Sequence, residues 1–488
     1  MKKTLLLLLL ISNFCATAQS GIKWSAATDV ASSSYSNEHP RIMLDASGNP
    51  LILWGNSNTS EALFSRWNGT GFTMPLAMNP GSIPVFTASW AGPDIASKGD
   101  TVYVVYKQTP EDQSANHIYL VHSYDGGKNF SSPAQVDFLG DSISRFPTLT
   151  TDALGNPIVA FMKFNSMFMD SRWAVTKSND FGNTFTSDTK ASGYAGGGIC
   201  DCCPGSLVCS GNTVALLFRS NFNNIRDTWT ALSTNGGASF PNGIGVDQNN
   251  WMSMVCPSTG PDAVVVDDTL YSVFMNSASG KARIYSNKNS LSAAAASTSK
   301  LVTKTFAGLS QQNYPRIANY NTAVAEVWKQ VSGGITQLSL NFTANIHNGF
   351  PLSYDTVVMG SVANTDVAIS KGTVHLIWED DNSGTVKYRK GTYTPISTGV
   401  PPPKAPAADM KIYPNPSSAG MITIEMQTVK SIAVEVQVLN LMGQVVFVQT
   451  NNPTNGLLQL DISALSSGSY FVKITDGSIL HTEKFIKL

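Results

Sequence analysis

Charge is scarce in this chain. Asp, Glu, Lys and Arg make up 13% of its 488 residues and the formal net charge is −1, so there is no basic field for nucleic acid or an anionic membrane. Histidine is equally thin: none of the six sits at a spacing that pairs two imidazoles on a metal. No Gly-rich loop lies between a strand pattern and a helix pattern, which excludes a phosphate cradle and nucleotide chemistry. No cofactor is expected. Long apolar runs are missing too, so no membrane span is predicted. The one short run, Leu5 to Ile11, follows Lys2-Lys3 and precedes the small residues Ala16-Thr17-Ala18. That pattern predicts a signal peptide over 1–18 and an exported, soluble mature protein. Five cysteines then remain, Cys200, Cys202, Cys203, Cys209 and Cys256. Export favours disulfides, and an odd number leaves at least one thiol over.

What the sequence does have is a repeat. A proline, once a threonine, precedes an apolar strand at Pro40, Pro93, Pro147, Pro204, Pro261, Pro315 and Thr365, with spacings of 53, 54, 57, 57, 54 and 50. Each copy continues through a tight turn, such as Asp45-Ala-Ser-Gly48, into a second strand, such as Leu51-Ile-Leu-Trp54. After a third strand come Ser123-Tyr-Asp125-Gly-Gly127-Lys-Asn-Phe130, Ser178-Asn-Asp180-Phe-Gly182-Asn-Thr-Phe185 and the weaker Ser233-Thr-Asn235-Gly-Gly237-Ala-Ser-Phe240. Their Ser and Asp side chains suit turn N–H groups and their Gly a positive φ, so these residues read as turn stabilisers. Short strands at this period predict an all-β propeller over 19–394, of seven blades, with six as the alternative. The seventh copy holds only three strands. Ile22 to Val30 reads as the strand that completes the last blade and closes the ring.

Residues 395–409 form a Pro-rich linker. Beyond it, 410–488 alternates in strands such as Val434-Glu-Val-Gln-Val-Leu439 and Tyr470-Phe-Val-Lys-Ile474, with Gly turns between. That is the pattern of a small antiparallel β-sandwich.

Two resemblances add to this. The tail, through Lys411-Ile-Tyr-Pro-Asn-Pro416, Asn440-Leu-Met-Gly443, Leu465-Ser-Ser-Gly468 and Lys484-Phe-Ile-Lys-Leu488, resembles the C-terminal sorting domain of type IX secretion in Bacteroidetes. The resemblance implies handling by that machinery, export across the outer membrane, tail removal, and then release or attachment to surface lipopolysaccharide. The repeats resemble the BNR/Asp-box superfamily, whose best-known members are sialidases. Cys200-Asp-Cys-Cys203-Pro204, Arg226-Asp227 and Cys256-Pro257-Ser-Thr-Gly260-Pro261 resemble a sialidase-like subgroup, which places Arg226 and Asp227 among the ligand-binding candidates.

In the sialidase fold, strand one starts and strand two ends on the ligand face. The repeat phase then puts Arg41, Asp94, Thr148, Gly205, Asp262, Arg316 and Asp366 in one ring, and Gly55, Lys107, Lys163, Arg219, Met275, Lys329 and Glu379 in another. A funnel lined by Arg41, Lys107, Lys163, Arg219, Arg316 and Lys329 would attract a carboxylate or sulfate. Strand ends that merely meet water are the simpler explanation. Arg41 holds the place of the first arginine of a sialidase triad, with Arg219 and Arg316 as candidate partners. Asp94 or Asp262 is the candidate acid, and Glu326 with Tyr314 the candidate base and nucleophile. Glu326 stands where the other copies carry mostly apolar residues, so a buried, perturbed carboxyl is expected there.

The cysteines form the other cluster. A Cys200–Cys256 disulfide is the simplest expectation, with a vicinal Cys202–Cys203 bond or a soft-metal site of Cys200, Cys202, Cys203 and Cys256 as alternatives. Three functions follow from the sequence. The first is hydrolysis of acidic glycans by an exo-sialidase-like propeller. The second is non-catalytic binding of glycan or protein, and the third a metal or redox protein.

Overall fold

The computed structural model describes all residues except 1–19, 32–34, 141, 196–197, 352, 397–409, 427–432, 441–443 and 477–478. The expected signal peptide, 1–18, and most of the Pro-rich linker therefore lie outside the described residues. The chain divides into two compact units, Met1–Ile396 and Ser397–Leu488.

Among the described residues the first unit holds seven antiparallel sheets. In the first blade the strands Asn37–Leu44, Pro50–Asn56, Glu61–Arg66 and Leu76–Ala77 follow one another outward, and the later blades repeat that order. The ring closes through the innermost strands. Each touches the next, from Asn37–Leu44 through Asp94–Lys98, Ile143–Thr151, Ser206–Ser210, Asp262–Val266, Leu309–Tyr320 and Thr365–Ser370, and the last returns to the first. Lys23–Trp24 and Thr28–Asp29 both pair with Thr385–Thr392 and supply the last blade's outer edge. Residues from the two ends of the unit thus share one sheet, which ties the N-terminal strands to the last blade.

Second strands show why the blades hold. Pro50–Asn56 and Pro157–Phe164 are buried at every position. Blades pack on both faces of these strands, so the sequence there is a continuous apolar run rather than an alternation.

The Ser-x-Asp turns behave as turn chemistry predicts. Ser123 Oγ donates to Asp125 Oδ1 at 2.7 Å and accepts from Gly127 N at 2.9 Å, while Asp125 Oδ1 also takes the Lys128 and Asn129 N–H groups. Ser178 with Asp180, and Ser233 with Asn235, repeat the pattern. Gly126 N donates to Asp100 O in the hairpin between strands one and two. These turns therefore sit at the hairpin end, opposite the entry to each first strand.

The second unit is a two-layer antiparallel sandwich. One sheet holds Met410–Tyr413, Met421–Met426 and Leu457–Asp461; the other holds Val445–Asn451, Val434–Leu439, Gly468–Asp476 and Ile479–Lys487. Alternate residues such as Val434, Val436 and Val438 face its core with Ile422, Ile424 and Leu460.

Candidate functional site

Where the inner strands begin, three of them carry a bulge, between Glu38 and Arg41, Arg145 and Thr148, and Asn313 and Arg316. Each bulge holds the residue before the marker proline in the left-handed region: His39 at φ 55°, Phe146 at 50° and Tyr314 at 51°. Bulky residues avoid this region, and before proline the backbone is restricted further, so such strain marks a constrained site. The three side chains, with Trp90 and Asn364, line a cavity of about 40 Å³ on the propeller axis. Glycines make room for them. A Cβ on Gly92 would lie 3.1 Å from the His39 ring.

Beneath that mouth lies a charged ring. Asp94 Oδ2 accepts from Thr148 Oγ1 at 2.8 Å and Leu149 N at 3.3 Å. Asp262 takes Ser206 Oγ at 2.7 Å and Ile317 N at 3.0 Å, and Asp366 takes Ile42 N at 3.1 Å. Each aspartate therefore ties its own blade to the backbone of the next. Arg316 Nε lies 3.1 Å from Asp366 and 3.4 Å from Asp262, and Arg41 Nε lies 3.9 Å from Asp94. Burial opposes the Arg316 charge, but Asp262 and Asp366 outweigh it and hold the guanidinium firmly protonated. Arg41 falls to about 10 through burial and the Arg316 charge. A channel of about 500 Å³ continues from this ring along the inner strands toward the hairpin end.

The predicted cations are distributed differently from the funnel the sequence suggested. Arg41 and Arg316 line the axial cavity, whereas Arg219 does not. Arg219 donates to Met275 O at 2.8 Å and to Arg226 O, and lies 5.1 Å from the Trp251 ring centre. Lys107, buried and lowered to about 8 by desolvation, reaches Asn116 O and Ser144 Oγ. Lys163 is held by Asp188 at 2.9 Å. Lys329, half-buried opposite Asn313, has no ion pair among the described residues. The three arginines do not converge, because the polar strand ends satisfy one another across blades.

The candidate acid–base groups separate as well. Glu326 sits mid-strand between Ile317 and Asn341, and it does not line the axial cavity. Burial raises its carboxyl to about 8, with Asn341 opposing, and Oε2 lacks a partner. Burial raises the Tyr314 phenol and the charge of Glu379 adds to it, while a hydrogen bond with Ser89 opposes. Glu379 accepts from His39 N at 3.3 Å and Asn364 Nδ2 at 3.0 Å, and burial pushes it up to about 7. The sequence reading tracked the residue after each marker. Arg41, Asp94, Thr148, Gly205 and Arg316 of that ring do line the cavity, and the residues before the markers, His39, Gly92, Phe146, Gly260, Tyr314 and Asn364, line it with them. The signal was present in the same repeat, one position earlier.

Next to the mouth lies the cysteine cluster. The disulfide joins Cys202 to Cys256, not Cys200 to Cys256, and Cys202–Cys203 is not bonded. Blade phase brought the two segments together correctly. The partner differs because Cys200 is fully buried and turned toward Cys203, 3.3 Å away, and Arg226, 3.0 Å away. The Cys203 hydrogen bond, together with Arg219 and Arg226, overcomes burial and lowers Cys200 to about 6, whereas burial raises Cys203. Asp227 accepts from Asn250 N and Trp251 N at 3.0 and 2.9 Å, and burial lifts it to about 6. Arg226 and Asp227 thus hold the 250–253 loop.

Among solved structures, the chain is similar to a protein of unknown function from Dyadobacter fermentans, at 12% identity over 66% of this chain and 98% of that one, with a TM-score of 0.44. It is similar to the Hadza microbial sialidase Hz136, at 11% identity over 75% and 68% of the two chains and a TM-score of 0.45. It is also similar to a Trypanosoma rangeli sialidase, at 9% identity over 92% and 84% and a TM-score of 0.42. Likenesses this distant assign neither a residue nor an activity to this chain. No curated protein matches it. Among the described residues no helix is long and apolar enough to cross a membrane. Residues 411–488 match the secretion system C-terminal sorting domain family, and the protein is accordingly directed by the type IX route to the cell surface or the extracellular space.

Proposed function

We propose that the propeller binds glycan at its axial mouth, without hydrolysing it. The half-buried rings of Trp90 and Tyr314 stand beside Asn364 and His39 around one concavity, and this arrangement carries the proposal. The cavity itself is too small to take in a sugar ring, so the saccharide would rest across the mouth, with its C–H face on the aromatic rings and its hydroxyls toward the polar groups. Arg41 and Arg316 are already matched by Asp94, Asp262 and Asp366, so the ring lacks the surplus positive charge that a clamp on an acidic sugar needs. Neutral, hydroxyl-rich saccharide is therefore preferred over sialic acid. Titration calorimetry of the mature protein against neutral and acidic oligosaccharides tests this. Neutral sugars should bind, and Trp90→Ala should weaken them on the order of tenfold. Binding confined to acidic sugars would refute the preference.

A second reading, glycoside hydrolysis, draws support from one feature. Glu379, held near neutral pKa by burial, is near enough for its charge to raise the Tyr314 phenol, although the phenol's own hydrogen bond goes to Ser89. A carboxylate that moved onto the phenol could serve it as a base. The candidates Asp94 and Asp262 serve this reading poorly as acids, since backbone N–H groups of neighbouring blades occupy both. Release of an aryl leaving group from sialosides or other glycosides, lost in Tyr314→Phe, would establish it.

A further inference from the structure

We propose that Cys200, Cys202, Cys203 and Cys256 form a site for one monovalent copper ion, opened by reduction of the Cys202–Cys256 disulfide and approached through Met252 and Met254. The sulfurs of Cys200, Cys202 and Cys203 lie 3.3, 3.4 and 4.0 Å from one another. A metal–sulfur bond of roughly 2.3 Å places the ligands of a tetrahedral centre about 3.8 Å apart, and those of a trigonal one slightly farther. Three sulfurs are thus already gathered at nearly ligand separation. Cys256 is bonded to one of them.

Packing alone does not account for the cluster. A buried thiol needs no charged partner, yet Arg226 Nη1 points at Cys200 Sγ from 3.0 Å. A guanidinium so placed stabilises negative sulfur, and it would offset the charge that several thiolates bring to one ion. The same guanidinium donates to Ser253 O, and Arg226 N donates to Trp251 O. Arg226 therefore fixes the cluster and the segment Trp251-Met-Ser-Met-Val-Cys256 together. Met252 and Met254 of that segment are 69% and 80% exposed, which leaves both thioethers open to an incoming ion on the segment that Arg226 ties to the cluster. Thiolates with thioethers select Cu(I) among the common ions, while zinc takes thiolate but gains nothing from thioether.

The disulfide makes the site conditional. A dithiol reductant would give two electrons and two protons to Cys202–Cys256 and itself become a disulfide, leaving four thiols. Cu(I) then replaces thiol protons, which pass to solvent, and no oxidation state changes.

The test uses the full mature chain, reduced with a dithiol that is then removed without air, and titrated with Cu(I) held by a coloured chelator. The reduced protein should withdraw one equivalent and the oxidised protein none. Cys203→Ser should lose affinity on the order of tenfold or more, Arg226→Leu roughly tenfold, and Cys209→Ser nothing. If reduction disturbs folding, Cys256→Ser leaves three thiols without a reductant and should still take copper at an unchanged melting temperature. Failure of both reduced protein and Cys256→Ser to compete for Cu(I), equal uptake by Cys203→Ser, or uptake of zinc in preference to copper would overturn the assignment.

Discussion

Asp366, in the last blade, accepts the backbone N–H of Ile42, in the first, at 3.1 Å while its other oxygen holds Arg316 at 3.1 Å. One carboxylate thus joins three blades. Asp366→Ala would leave a buried N–H and a buried guanidinium short of partners. The expected cost is about 2–4 kcal/mol, read as a lower denaturant midpoint. Asp366→Asn should recover part of it, because an amide oxygen can still accept from Ile42.

The closing strand gives a second test. A Cβ on Gly391 would fall 2.7 Å from Trp24 Cε3 and against Ile22, so only glycine lets the N-terminal strand lie on Thr385–Thr392. Gly391→Leu should destabilise by about 1–3 kcal/mol through overpacking. Proteolysis should then cut near residue 25 in the variant before it cuts the wild type.

Glu326 predicts a pH dependence. Its folded carboxyl is raised to about 8 by burial, against roughly 4.3 in an unfolded chain. Between those values the folded state holds a proton that the unfolded state has lost, so stability falls as pH rises through the window. Glu326→Gln should flatten that slope and melt higher than wild type at pH 8, with a difference on the order of 2–4 kcal/mol. Parallel melting curves for the two proteins from pH 5 to 8 would contradict a neutral Glu326.

Much of the propeller was legible because each blade repeats the same physical demand. A proline opens strand one, a hairpin follows, and strand two is buried on both faces. The closing strand at Lys23–Trp24 was legible because the seventh copy lacked one. The site was harder. Sequence phase named the residues after each marker, but Asp94, Asp262 and Asp366 are spent on stapling neighbouring blades. The cavity is shared with the preceding residues, whose direction depends on bulges and positive φ that no alternation pattern encodes. Arg219 failed to join Arg41 because Met275 O and Arg226 O claim it locally. Likewise, shared blade phase brought Cys256 to the cluster, while burial decided which thiol it met.

Calorimetry of the protein with Trp90→Ala and Tyr314→Ala, run beside an aryl-glycoside turnover assay, tests the axial mouth as a sugar site most directly. Saccharide binding without turnover, weakened on the order of tenfold by either substitution (about 1.4 kcal/mol), is the predicted result. Saccharide binding that ignores both substitutions, or turnover abolished by Tyr314→Phe, would contradict it.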